Sequence, residues 1–233
     1  MKSTVEALKK RGYPDKALEN IFQLKKTDEL IPLLKSVNAP ECTAAACILG
    51  VRNEKTAVKA LCNALAGEKA LYSKIAISDA LGHIGVYALP GLIELLGMIG
   101  KNQHIIPSAG DFKKKSYPLP RDIAARTITK IGVPALAALE SVAVNGTITQ
   151  VSEAVDAIGF IAFYTKNRRS LKCLIQCMAK NAGNELITWK IIRALESFPC
   201  PEVEDILKKI IKSSKNKLLI QEAKRSLKQL TKL

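Results

Sequence analysis

The stretch from Ala76 to Gly97, AISDALGHIGVYALPGLIELLG, limits the possible fold more than any other part of the chain. Small and apolar residues at Ala76, Ile77, Ala80 and Leu81 recur at helical spacing. Gly82 and Gly85 predict the end of that helix, and Pro90 predicts the opening of the next. The unit is a helix, a tight turn and an antiparallel neighbour. Such a pair buries one face within itself and leaves a second apolar face that only another pair can cover.

The rest of the chain supplies those pairs. A Leu or Ile ahead of the glycine position marks each second helix: Leu49, Leu81, Ile128, Ile158, Leu195 and Leu227. They lie 32, 47, 30, 37 and 32 residues apart. Four intervals fit a helical-hairpin period, and the 47 carries an insertion of roughly fifteen residues, placed at 100–120. Second helices such as AAACILG, AISDALG, AARTITKIG and SEAVDAIG put small residues where helices approach closely. First helices open at or near Pro32, Pro90, Pro134 and Pro201, where a missing N–H costs nothing. Asp28, Asn53, Asn184 and Asn216 are the expected caps. Asn145, Gly146 and Thr147 spell a glycosylation sequon but read as a turn between helices. Residues 1–26 form two short helices broken at Gly12, Tyr13 and Pro14, with Val5, Leu8, Ala17, Leu18, Ile21 and Phe22 inward. They are read as an N-terminal cap on an array spanning 27–233. With aromatic residues at only 5%, β-strands have little support, and the expected class is all-α.

These repeats resemble HEAT repeats, in particular the short variety found in phycobilisome-lyase-like HEAT proteins. Ala76 to Gly85 with Leu89 to Leu92, and Arg121 to Gly132 with Pro134 to Leu139, carry the resemblance, with Lys74 and Arg121 at the basic position early in the second helix. It implies an α-solenoid, a right-handed superhelix of about six hairpins whose second helices line a concave groove. It implies fold more than function, since such repeats serve unrelated tasks. Glu196 and Lys228 stand where the family places glycine.

Net charge is +15 and uneven: +4 over residues 1–26, +4 over 100–121, +5 over 199–233, but −1 over 27–99. The insertion contains Lys113, Lys114 and Lys115 between Phe112 and Tyr117, followed by Arg121. Lys166, Arg168 and Arg169 form a second cluster. Both could hold an acidic protein or a phosphate backbone, although charge runs of this kind are more often solvated surface. The C-terminal lysines suit the polar outer face of a terminal repeat.

Sequence patterns for nucleotide cradles, nucleophile elbows and zinc proteases are absent. The two histidines are His83, in the Gly-x-Ile-Gly turn, and His104, in the insertion. A catalytic role for either needs a carboxylate brought by folding, for example Asp111 near His104. The His-Glu pairs of HEAT-type iron hydroxylases are missing. Cys173 and Cys177 share a helix face but lack two further zinc ligands, and the six cysteines read as reduced thiols at mostly apolar positions. HEAT-like DNA glycosylases cradle damaged bases with several aromatics, whereas this chain has one tryptophan. Trp189, with Lys190 and Arg193 beside it, is the candidate groove cluster, its ring expected to fill a gap between repeats. The charged start and the shortness of the uncharged run 80–93 point to a soluble, cytoplasmic protein. The leading expectation is a non-enzymatic scaffold with no cofactor that docks an acidic protein partner. The alternatives are a nucleic-acid binder, as a divergent repair enzyme, and a lyase-like or chaperone role toward a chromophore-bearing protein.

Overall fold

The computed structural model describes residues 4–14, 16–108 and 110–231, and among these every regular element is helical. Two short N-terminal helices, α1 (Val5–Lys10) and α2 (Lys16–Gln23), precede a run of helical hairpins. The hairpins begin with α3 (Thr27–Leu33) with α4 (Ala39–Val51) and α5 (Val58–Gly67) with α6 (Leu71–Ile84), and α7 (Leu89–Glu94) and α8 (Ile123–Ile131) follow in sequence. They continue as α9 (Leu136–Asn145) with α10 (Ile148–Thr165), α11 (Leu171–Lys180) with α12 (Glu185–Leu195), and α13 (Pro201–Ser213) with α14 (Lys217–Leu230). The chain forms two compact units, Met1–Leu95 and Leu96–Leu233.

In the first unit α4 packs along α6, α5 along α7, and α1 and α2 rest on α4. Leu30, Leu49, Leu61, Leu65, Ile77 and Leu81 form its core. In the second, α10 packs between α8 and α12, α12 against α14, and α9 against α11. Second helices thus neighbour second helices, and first helices neighbour first helices. Five of the six anchor residues are fully buried; Leu227 is only half-buried. In α14 the inward stripe runs Glu222, Ala223, Ser226, Gln229 and Leu230, so the anchor there is Leu230.

The glycines divide into two kinds. Gly85 and Gly132 stop α6 and α8 with φ of +73° and +74°, a conformation that suits a residue without Cβ. Each is followed by a single 3₁₀ turn that leads into the next helix. Gly82, expected to share in stopping α6, lies inside it, because the chain does not turn until Gly85. Gly50 and Gly159 also lie inside their helices. At Gly50 a Cβ would stand 2.7 Å from the Ala80 Cα, so the glycine is what lets α4 approach α6.

Asn184 and Asn216 cap α12 and α14, accepting from Ile187 N–H at 3.0 Å and Leu218 N–H at 2.9 Å. Asn53 instead closes the end of α4 in the left-handed conformation that asparagine tolerates, and Glu54 caps the following turn. Asp28 sits within the first turn of α3, whose start is set by Glu29 accepting from Lys26 N–H at 2.8 Å. That start leaves Pro32 in the last turn, not the first. Asn145, Gly146 and Thr147 form the α9–α10 turn, with Thr147 capping α10. In the N-terminal pair Phe22 is buried, but Val5, Ala17 and Ile21 are exposed, because such short helices cover only one neighbour. The stretch 71–94 is long and apolar enough to cross a membrane, yet it bends at Gly85 and half of its apolar window is buried against other helices.

Candidate functional site

Charged residues of the second unit occupy helix positions that the repeat reserves for core. Three-residue spacing puts Glu153, Asp156 and Gly159 on one face of α10, and Lys190, Arg193 and Glu196 on one face of α12 and its end. The same spacing aligns Glu222, Arg225 and the neighbouring Gln229 on α14. Lys190, Arg193, Glu196 and Glu222 have at most 1% of their surface exposed. Burial of that depth is tolerated only with partners.

The partners are each other. Lys190 Nζ lies 2.7 Å from Glu153 Oε1 and 2.9 Å from Asp156 Oδ2, and it also donates to the Ser152 carbonyl. Arg193 pairs with Glu222 at 3.2 Å, and Trp189 Nε1 donates to the same carboxylate at 3.0 Å. Arg225 bridges Glu222 and Glu196. Arg193 stacks on the Trp189 ring, 4.0 Å from its centroid. Four carboxylates thus face three cations. Desolvation raises the Glu153 carboxyl to about 7, with Asp156 reinforcing the shift against the opposing pull of Lys190. Burial likewise lifts Glu196 to about 7, against the Arg225 guanidinium.

The insertion covers this ladder. Asp122 ties its C-terminal end, capping α8 through Ala125 N–H at 2.8 Å while accepting from Gly97 N–H and the Gln103 amide. Asp111 organises the middle, accepting from the Ser108 N–H and hydroxyl at 2.7 Å, from His104 Nε2 at 3.2 Å and from Arg121 at 3.3 Å. Those donors hold the Asp111 carboxyl below the usual range despite its burial. The His104–Asp111 pair therefore forms, with the imidazole edge-on to Trp189 at 5.1 Å. Burial keeps His104 below its ordinary value.

Contact with the ladder is made by main chain and rings. Arg193 donates to the Asp111 carbonyl at 3.1 Å, and Arg225 and Gln229 donate to the Lys114 carbonyl at 3.3 and 3.4 Å. Phe112 lies edge-on to Trp189, and Tyr117 enters the niche that Gly159 leaves, where any Cβ would strike its hydroxyl. Tyr164 donates to the Tyr117 carbonyl at 3.0 Å. His104 Nδ1, Tyr117 Oη, Glu153 Oε2 and Glu196 Oε1 are buried without a hydrogen-bond partner. Each such atom costs on the order of 1–3 kcal/mol.

The anticipated cations separate into those held and those exposed. Lys113, Lys114 and Lys115 are exposed. Arg121 is drawn to Asp111, Arg168 donates to the Ala162 carbonyl at 2.8 Å, and Arg169 grips Glu140 with two bonds of 3.1 and 2.9 Å. Lys166, left-handed at the end of α10, lies over Phe163. The cations at 166–169 are thus each engaged with a different group of the chain. Trp189, Lys190 and Arg193 do come together, but beneath the insertion instead of in an open groove.

Glu153, Asp156, Glu222 and Arg225 were not among the expected site residues, and Glu196 was marked only as standing at a glycine position. Their signal is opposite charge at matched register inside small-residue stripes: Glu153 with Lys190, Arg193 with Glu222, Glu196 with Arg225. The notch beside Trp189, bordered by Ile105, Ile106 and Leu219, holds only 60 Å³. Sites for small molecules usually hold roughly 300–1,000 Å³. Larger hollows lie in the first unit, one of 320 Å³ between α2 and α4 and one of 470 Å³ between α3 and α5. No group of three or more His, Cys, Asp or Glu among the described residues is placed to hold a metal. No family model matches this chain, and no curated protein matches it.

Proposed function

We propose that the protein is a cytoplasmic, non-enzymatic binding scaffold, a HEAT-like solenoid over residues 27–230 that engages other proteins. The solenoid reading is supported by helical hairpins within each unit in which like helices neighbour like, and by the shared turn at Gly85 and Gly132. One observation carries the scaffold reading: the second-helix face of residues 96–233 grips the inserted segment by its carbonyls, through Arg193, Arg225 and Gln229. That is how helical repeats receive a partner, through many contacts spread along one face. The exposed ammonium groups of Lys113, Lys114 and Lys115 offer an acidic protein surface a docking point above that face.

Capture from native extract, with and without nuclease, tests the reading. Acidic proteins retained after nuclease and lost with Lys113→Glu/Lys114→Glu/Lys115→Glu are the expected result. Loss of every partner on nuclease treatment would move the function to nucleic acid. Retention unchanged by the triple substitution would move the docking surface away from the insertion.

A further inference from the structure

We infer that the groove formed by α10, α12 and α14 is a peptide site for another protein, held here by the chain's own residues 111–117, and that it takes a segment with one 3₁₀ turn and two aromatic residues five positions apart. The inference rests on the scaffold reading and names the ligand chemistry of one of its faces.

Residues 111–117 sit in the groove as a ligand does. Arg193, Arg225 and Gln229 receive the carbonyls of Asp111 and Lys114, groups that any peptide offers. Selectivity comes from the two rings: Phe112 against Trp189, and Tyr117 in the space that only a glycine at 159 leaves open. The groove's own charges pair with one another, Glu153 and Asp156 with Lys190 and Glu196 and Glu222 with Arg193 and Arg225, so recognition falls to the carbonyls and the rings.

The internal segment is also an incomplete fit. Two of its own polar atoms, His104 Nδ1 and Tyr117 Oη, and two in the groove, Glu153 Oε2 and Glu196 Oε1, are buried without partners. A foreign segment that brings donors to the two carboxylates satisfies what the internal one leaves open. Beside the groove, Ile105 and Ile106 stay 82% and 71% exposed at the edge of the Trp189 notch, extending the surface such a segment can cover.

Trp189 is the chain's single tryptophan, so its emission reports groove occupancy directly. The test titrates a synthetic peptide of residues 108–120 into the full chain and into a Phe112→Ala/Tyr117→Ala variant. The tethered segment competes at an effective concentration on the order of millimolar, so the variant should bind about tenfold or more tighter than the wild type. A peptide with alanine at both ring positions should lose that affinity. A variant that keeps its helical circular dichroism yet binds no peptide overturns the inference.

Hydrogen exchange on the wild type gives a reading that does not depend on the variant folding. Excess peptide should speed exchange across residues 110–118, and unchanged protection there overturns the inference as well. A concentration-dependent dimer in which residues 111–117 cross-link into a second copy's groove would make the occupant another copy of this chain, and would overturn the assignment to a separate protein. Because the probe is the chain's own sequence, its failure leaves the extract capture standing, and failed capture leaves the peptide result standing.

Discussion

Glu222 has the most to lose among individual residues. Its two oxygens accept from Trp189, Arg193 and Arg225, all buried. Glu222→Ala leaves two guanidinium groups short of an anion in low dielectric, and should cost about 3–5 kcal/mol in urea unfolding followed by Trp189 emission. The exposed Glu204–Lys208 pair, 2.9 Å apart on α13, is the control, and Glu204→Ala should leave the midpoint where it was. The charge imbalance around Lys190 also sets a pH dependence. Glu153 and Glu196 have an ordinary value of 4.5 and are held near 7 in the fold, so between those limits the folded state binds more protons. Stability from these two groups is complete below 4.5 and is lost as pH rises toward 7, by roughly 1–3 kcal/mol per group. His104 opposes this below 6.5, since burial keeps it neutral while the unfolded chain takes up a proton. Urea midpoints at pH 5 and 7.5 should converge in Glu153→Gln relative to wild type; an unchanged gap would mean that the lysine neutralises both acids.

At the level of helices and the segments between them, Asp122 links two jobs that are normally separate. It caps α8, and it anchors the insertion through the Gly97 N–H and the Gln103 amide. Removing it strands buried donors as well as uncapping a helix. Asp122→Ala should therefore cost about 2–4 kcal/mol, against about 1 kcal/mol for Asn184→Ala, which removes a cap alone. Equal losses would show that Asp122 does no more than cap. Hairpin boundaries were legible because Gly85, Gly132, Asn184 and Asn216 act through their own backbone neighbours. Gly82, expected to help end α6, lies inside it as Gly159 lies inside α10, and a glycine inside a helix looks the same in sequence as one that ends it. What distinguishes Gly159 is Tyr117, forty-two residues earlier, and no local rule connects the two.

For the chain as a whole, +15 at 233 residues means that surface repulsion opposes compaction, while the ladder's charges are buried against one another. Salt acts on the first and hardly on the second. Raising sodium chloride from about 20 to about 500 mM should lift Tm by roughly 2–4 °C, read by circular dichroism, with the Glu222→Ala deficit unchanged. A fall in Tm would mean that exposed ion pairs contribute more than the like-charge repulsion.

The amino-acid order alone determined that the chain is helical, where most hairpins begin and end, and that residues 100–120 interrupt them. Those features follow from spacing, caps and glycine conformations that act within a few residues. Even the conditional pairing of His104 with Asp111 was within reach, being seven residues long. Only the tertiary structure decided what the insertion does. Whether Lys190 and Arg193 face water or bury depends on Glu153, Asp156 and Glu222, some 29 to 37 residues away on other helices. Electrostatic pairing in a dry interior depends on distance through space, and the chain order carries no record of that distance until the helices are packed.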